Sequence, residues 1–578
     1  MLTGVTIRNF KRFGSVEIEL GSPVVFIGPN NSGKTSALQA LALWSIGLRR
    51  WNEKRAGTSV PEKRPGVTVN RRDLVAIPIP VANLLWRGLR TRNTFKSGGK
   101  QRTENVRIEI TVTGIGPNGE WRCGLEFDYA NEESFYCRPL RTTAGATPER
   151  MEVPDEAADV EIAYLPPMSG LAAAETRLDP GAIDVRIGEG RTAEVLRNLC
   201  YRVYEDDRRR WRKLTEQIER LFGAELEPPR YVAARGEVTM RYREGSVSLD
   251  LSSAGRGLQQ TLLILAYMHS NDGAVLMLDE PDAHLEILRQ RQIYQLITDA
   301  AQDTGSQIIA ASHSEVLLNE AAGKHSVIAF VGEPHRIDDR GNQLLKSLRD
   351  IGFEQYAQAE VAGWVLYVEG STDLAILRAF ARRLGHDRAL AALDRPFVHY
   401  VGNQITNAER HFYGLREALP DLRGVALLDD LPSGHKGDRL RSFEWKRREI
   451  ENYLCTPATL QAYAEVTGRA ASVGPLFETI EVDRRSEAMS EAVSEIETAM
   501  RALDLGSPWN PEAKVSDDFL GPVFKAYFNK LGLPNLMLKR SFYELAEHVP
   551  DDEMDQEITD KLNAIASVAE AVHPVTAC

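Results

Sequence analysis

Cysteine is scarce in this sequence. Five residues (Cys123, Cys137, Cys200, Cys455 and Cys578) are scattered through 578 positions, odd in number and never in C-x-x-C spacing. That excludes a zinc knuckle and a disulfide framework, and makes a reducing cytoplasm the expected compartment. Long hydrophobic runs are also lacking. None approaches the roughly 18 uninterrupted apolar residues of a membrane helix, so no membrane partner is expected. The opening MLTGVTIRNFKRFG carries basic residues with no apolar segment behind them, so no secretory leader is expected. Internal repeats and low-complexity stretches are absent. Positive charge is in deficit, with 70 Lys and Arg against 82 Asp and Glu and a net charge of -12. That argues against a protein that coats nucleic acid over its whole surface. What remains is a globular composition, 43% apolar and 26% charged, on a chain long enough for three or four domains.

The acidic balance hides a basic region. Between Arg49 and Arg107, 15 Lys and Arg face four acids, with Trp51, Trp86 and Phe95 interleaved. This is either a solvated insertion or a DNA-facing surface. The prolines at 61, 65, 78 and 80 predict an irregular insertion over 52–105. Ahead of it, VTIRNF and SVEIEL alternate as half-buried strands, and PVVFIG is a short apolar run typical of a buried one. A helix is expected from Thr35 to about Leu48. A hairpin is expected around Pro117-Asn118-Gly119, and a strand ending at the double proline of EIAYLPP. Residues 190–225 have an amphipathic helical pattern, read either as an arm that offers a dimer contact or as a simple helix on a core.

Chemistry enters with Gly28-Pro-Asn30-Asn31-Ser32-Gly33-Lys34-Thr35, which fits G-x-x-x-x-G-K-[ST] between a buried strand and a helix. Backbone N–H groups there can curl around phosphate, Lys34 supplies charge to the β and γ oxygens, and Thr35 can ligate Mg²⁺. AVLMLDEP (274–281) is an apolar strand ending in Asp279, expected to hold Mg²⁺ through water, and Glu280, expected to polarise the attacking water. QIIAASH (307–313) ends in His313, a candidate γ-phosphate sensor. Between the P-loop and this strand lies LSSAGRGLQQ (251–260), opening a helix.

That last segment resembles the signature motif of ABC ATPases, although it departs from L-S-G-G-Q. The resemblance implies that Ser253 and Gly255 cap the γ-phosphate of ATP held by another subunit, so that ATP binding closes a homodimer or a dimer of dimers. Asp282 and His284 resemble the D-loop that crosses such an interface; no Q-loop glutamine is assignable. Residues 1–335 are similar to the ATPase heads of recombination and chromosome-maintenance proteins such as RecF and SMC.

A second constellation begins after a connector (336–363). WVLYVEGSTD (364–373) is a buried strand that delivers Glu369 at a sharp turn before a helix carrying Asp373. GVALLDDL (424–431) is a second strand ending in Asp429 and Asp430. Together they resemble the Toprim fold, in which such a glutamate and an Asp-x-Asp strand end bind Mg²⁺ or Mn²⁺. Leu431 stands where the second aspartate is expected, and Asp430 either compensates or points elsewhere. WKRREIENYL (445–454) resembles the R-E-I-E-N-Y-L segment of the OLD (overcoming lysogenization defect) nucleases. That implies a further metal acid, Glu451, with Glu449 as the alternative. LMLKRSFY (536–543) resembles the late lysine segment of the same nucleases, implying that Lys539 neutralises transition-state charge.

The expected fold class is α/β: an ABC/SMC-like P-loop ATPase head with a helical arm, then a Toprim α/β domain (364–475) and a mostly helical region (476–578) completing it. The implied function is that of the OLD family and the similar Gabija-type defence nucleases. It is an ATP-binding, metal-dependent DNA endonuclease, with an accessory defence protein as a possible partner. The alternative is a nucleotide-driven DNA clamp or sensor with a weakened Toprim domain. A primase of the bacterial type would need a zinc module, which the cysteine spacing excludes.

Overall fold

The computed structural model describes residues 1–55, 66–97, 100–142, 149–168, 170–172, 174–322, 324–337, 350–394, 396–430, 439–472 and 475–572. Much of the connector and Leu431 lie outside that set. The chain divides into two compact units, Met1–Glu354 and Gln355–Ala577. No described helix is long and apolar enough to cross a membrane.

The first unit is built on two six-stranded sheets. One is antiparallel, ordered Phe13–Glu19, Leu2–Phe10, Ile108–Gly116, Gly119–Asn131, Ser134–Pro139, Val67–Asn70. The hairpin expected at Pro117-Asn118 joins its third and fourth strands. The other is ordered Ile162–Leu165, Val275–Asp279, Gln307–Ser312, Val24–Ile27, Ser326–Ala329, His335–Ile337 and is parallel except for its last pair. Its inner strands are buried on both faces, so they read as unbroken apolar runs. The helix Lys34–Arg55 packs on strands of both sheets, which explains why its apolar residues run all round. Trp44 on this helix donates its indole N–H to Cys123 O at 3.0 Å and stacks on Trp121.

The stretch 52–105 is more regular than its prolines suggest. The helix continues to Arg55, Val67–Asn70 pairs with Ser134–Pro139, and Arg92–Ser97 forms a hairpin with Lys100–Asn105. Those strands are short or polar on both faces, so alternation does not reveal them. Residues 190–225 likewise form no single projecting helix. They make two helices, Leu196–Asp206 and Arg208–Phe222, broken at Asp207, whose carboxylate caps Arg209 N–H at 2.8 Å. Leu199, Val203, Trp211, Leu214 and Ile218 share a core with the helix Arg256–Ser270, the packing of helices on a core.

The second unit carries a four-stranded parallel sheet ordered Val398–Tyr400, Trp364–Val368, Arg423–Leu428, Leu440–Glu444. The chain leaves the second of these for one edge, then crosses to the third and continues to the other edge. That reversal opens a crevice between the carboxyl ends of Trp364–Val368 and Arg423–Leu428. Helices 457–471, 475–502, 521–530 and 556–570 cover this unit.

One buried amide ties the two sheets of the first unit. Gln307, only 6% exposed, accepts from Leu2 N–H at 2.7 Å and donates to Leu2 O at 2.8 Å and Gly21 O at 2.9 Å. Gln307→Leu keeps the volume but strands three backbone groups, at a cost of roughly 2–5 kcal/mol. Thermal denaturation of the full-length variant should show a clear drop in the first transition; an unchanged midpoint would mean the amide does not join the sheets.

Candidate functional site

In the first unit the P-loop and the motifs carrying Asp279, Glu280 and His313 fall at the carboxyl edge of the parallel sheet. The buried strand Val24–Ile27 ends at Gly28, and the loop turns through Asn31 (φ 62°) and Gly33 (φ 106°) before the helix starts at Lys34. A side chain at Gly33 would be strained, and its Cβ would lie 2.7 Å from Arg12 Cδ. Asn30 and Asn31 are exposed and Ser32 is half-buried. Lys34 turns inward and donates to Gly28 O at 2.8 Å and Pro29 O at 2.7 Å. These carbonyls are acceptors that phosphate oxygens would replace. Burial lowers the Lys34 pKa, against the pull of Glu280 and Asp279.

Asp279 is held at both oxygens: Thr35 Oγ1 donates to Oδ1 at 3.2 Å and Tyr164 OH to Oδ2 at 3.1 Å. Burial raises its pKa, and the two hydrogen bonds oppose the rise. Glu280, at φ 50°, meets His313 Nδ1 at 3.4 Å. The contact lowers the Glu280 pKa and raises that of His313. Asp282 is sealed beside Ser312, and burial raises its pKa. Lys34, Thr35, Asp279, Glu280 and His313 are thus brought together. The signature-like segment is separate: among the described residues no hydrogen bond joins it to 28–35. Leu251–Ser253 is a short turn capped by Asp250, and Gln259 Nε2 donates to Leu251 O at 3.1 Å and Ala254 O at 2.9 Å. Ser253 and Gly255 are exposed at the start of the helix Arg256–Ser270.

In the second unit the crevice collects acids. Glu369 follows the fully buried strand Trp364–Val368, and Asp429 follows Arg423–Leu428. The Asp429 carboxyl shares a hydrogen bond with Glu369. Burial first, then this bond and the charges of Glu369, Asp373 and Glu451, push its pKa far up. Asp373, in the first turn of Ser371–Arg383, accepts Glu369 N–H at 3.0 Å, and burial with the Glu369 charge brings it to about 6. Glu451, in the turn Ile450–Tyr453, is raised to about 8 by burial, then by Glu449 and Asp373.

Glu449 serves another purpose. Its carboxylate accepts Ser516 N–H at 2.6 Å and Ser516 Oγ–H at 3.0 Å. Lys539 donates to that Ser516 Oγ at 3.2 Å and to Asp517 at 2.9 Å, and Glu451 and Glu449 help raise its pKa against burial. Asp430 adjoins the crevice, and its N–H shares Asn403 Oδ1 with Asp429 N–H, at 3.4 and 2.9 Å. Among the described residues no three His, Cys, Asp or Glu side chains converge on a single cation-sized point.

Residues 1–46 match the family model of the AAA ATPase domain, and residues 183–319 match that of an AAA domain described as a putative AbiEii toxin of a type IV TA system. The first unit is a P-loop ATPase domain. Neither match extends past residue 319, so neither touches the acidic crevice. No curated protein matches the chain. Solved structures similar to it include the SMC head bound to the C-winged helix domain of ScpA, at 12% identity over 59% of this chain and 98% of that one, TM-score 0.35. The SMC head domain from Thermotoga maritima is 14% identical over 58% and 98%, TM-score 0.30. The Smc head with an extended coiled coil bound to the C-terminal domain of ScpA derived from Pyrococcus furiosus is 12% identical over 60% and 99%, TM-score 0.36. At those TM-scores the likeness adds nothing to the reading of the site.

Several site groups escaped the sequence. Tyr164, at the end of EIAYL, reaches Asp279 only because its strand lies beside Val275–Asp279. Arg12 donates to Asn31 O, and Lys11, brought to about 8 by burial, donates to Gln39. The KRF turn that carries both was the one available signal. Asn403 and Ser516 carry no motif at all.

The Glu280–His313 pair sets a pH window. Its contribution is whole between the ordinary values 4.5 and 6.5; it is lost as pH falls through the lowered Glu280 value or rises through the raised His313 value. An NMR titration should place the His313 midpoint above 6.5 and return it towards 6.5 in Glu280→Gln. Equal midpoints in both proteins would dissolve the pair.

Proposed function

We propose that this protein is a divalent-metal-dependent DNA endonuclease whose cutting is governed by ATP at its P-loop domain. The carrying observation is the crevice itself. Glu369, Asp373, Asp429 and Glu451 gather at the switch point of a parallel sheet, and burial with their mutual charge raises the pKa of Asp373, Asp429 and Glu451. So many carboxylates in a sheltered place repel one another unless protons or cations intervene, and hard divalent cations are the natural partners of such oxygens. Glu369 and Asp429 would hold one ion, with Asp373 and Glu451 extending the set. Bound Mg²⁺ or Mn²⁺ would polarise a phosphodiester and activate water for its hydrolysis. Lys539, poised by Ser516 and Asp517, would offset charge gathering on the phosphate. The reading fits the resemblance of these segments to OLD-family and Gabija-type nucleases, and with it a role in antiviral defence.

In the first unit, Lys34 would exchange its loop carbonyls for nucleotide phosphates, Thr35 and Asp279 would hold Mg²⁺, and Glu280 would orient water, with His313 answering to the terminal phosphate. Ser253 and Gly255, exposed at a helix start, suit a nucleotide on a second copy, so a homodimer or dimer of dimers is the working assembly. A second reading, a nucleotide-driven clamp or sensor on DNA, is favoured by one observation: no three described acids share a single point.

Incubating the full-length protein with supercoiled plasmid, in Mg²⁺ or Mn²⁺ with and without ATP, separates the two. Metal-dependent nicking is expected, with Glu369→Gln and Asp429→Asn each reducing it at least about a hundredfold while ATP hydrolysis persists. ATP hydrolysis with no cleavage in either metal would overturn the nuclease reading and leave the clamp.

A further inference from the structure

The outer face of the antiparallel sheet holds an arrangement that neither site uses. Glu126, in the strand Gly119–Asn131, is a carboxylate whose side chain is 1% exposed, yet four guanidinium groups reach its Oε1. Arg150 Nη1 lies at 3.3 Å, Arg141 Nε at 3.6 Å and Arg107 Nε at 3.8 Å, and Arg138 makes the closest contact. Asp128, two residues along on the same face, takes Arg138 Nη2 at 3.0 Å and Arg107 Nε at 3.4 Å. Four cations therefore share two acids.

One buried carboxylate is satisfied by one or two hydrogen-bonded cations, and each further guanidinium adds self-repulsion. Even with Glu149, exposed next to Arg150 in the chain, cations remain in excess, and residues 143–148 contain no charged side chain. Arg141 Nε is buried with no hydrogen-bond partner, and burial together with the charges of Arg107, Arg138 and Arg150 lowers the Arg141 pKa. While Glu126 is sealed, the arginine side chains that bracket it stay 14–35% exposed, so the buried negative charge braces a fan that solvent reaches. The basic hairpin Arg92–Asn105 springs from the same corner, where Asn105 Nδ2 donates to Asp128 Oδ1 at 2.9 Å.

We infer that the Arg107–Arg138–Arg141–Arg150 fan is a phosphate-binding surface that docks the backbone of DNA onto the ATPase unit. Planar guanidiniums braced by a common carboxylate lose little freedom on meeting phosphate and can meet its oxygens two at a time. Contacts of this kind position a duplex without reading its sequence. The identity of the polyanion rests on the DNA-directed reading above; the anion site itself does not.

Fluorescence anisotropy with a labelled DNA duplex and the full-length chain, over a salt series, tests it. Arg141→Gln with Arg150→Gln should weaken binding about tenfold and reduce the slope of log affinity against log salt by roughly one per arginine. ATP hydrolysis should stay unchanged. Inorganic phosphate should compete only weakly; full competition by phosphate at low concentration would point to a small-anion site and overturn the DNA assignment. Should the double variant unfold, phenylglyoxal labelling of the unaltered chain answers the question: bound duplex should protect Arg107, Arg141 and Arg150. Equal labelling with and without DNA, or an unchanged slope in a folded variant, overturns the proposal. A chain that binds through the fan yet leaves plasmid uncut defeats only the nuclease reading, and one that cuts with the slope unaltered defeats only this one.

Discussion

A strand buried on both faces has no room for charge along its length, so its acids can appear only where it leaves the sheet. Val275–Leu278 is wholly buried and is followed by Asp279 and Glu280; Trp364–Val368 is followed by Glu369, and Arg423–Leu428 by Asp429. Parallel pairing puts all such ends on one edge. Like charges are thus driven together by the same burial that stabilises the sheets, and each unit must answer the resulting repulsion.

The two units answer differently. At the P-loop the counter-charges are covalent parts of the chain: Lys34 faces Asp279 and Glu280, His313 pairs with Glu280, and Thr35 and Tyr164 donate to Asp279. In the second unit Lys539 is engaged with Asp517 and Ser516, and burial together with neighbouring carboxylates raises Asp373 and Glu451.

Legibility followed contiguity. Gly28–Thr35, the acids at 279–280 and the turn at 369–373 are runs whose residues meet because they are neighbours in the chain, and their local structure is what the patterns suggest. Tyr164, Asn403, Ser516 and Gln307 act across separations of 26 to 305 residues, which hydropathy cannot report. Charge counting failed in the same way: it found the basic stretch ending at Arg107 but missed Arg138, Arg141 and Arg150, which a strand and the isolated bridge after it bring to Glu126. A short tight turn sends the Glu449 carboxylate to Ser516 and places Glu451 among the other acids, a difference that spacing alone does not report. Continuous periodicity over 190–225 hid a break that a single cap, Asp207, is enough to make.

Backbone strain marks the same edges independently of charge. Outside glycine, left-handed φ occurs at few described residues, and Asn31, Glu280, His284 and Asn403 are among them, at 62°, 50°, 64° and 58°. Each such residue costs about 1–3 kcal/mol and survives only where its surroundings fix it. Asn403 is held by a double task, accepting from Asp429 N–H and Asp430 N–H, so its twist orients the strand end that carries the acid. Glu280 is held by Ala311 O, which accepts its N–H at 2.8 Å, and that bond turns its carboxylate towards His313 on the adjacent strand. Strain at these positions is the cost of aiming an acid sideways from a strand that would otherwise carry it straight on, and a fold with no use for the aimed acid would have no reason to keep it.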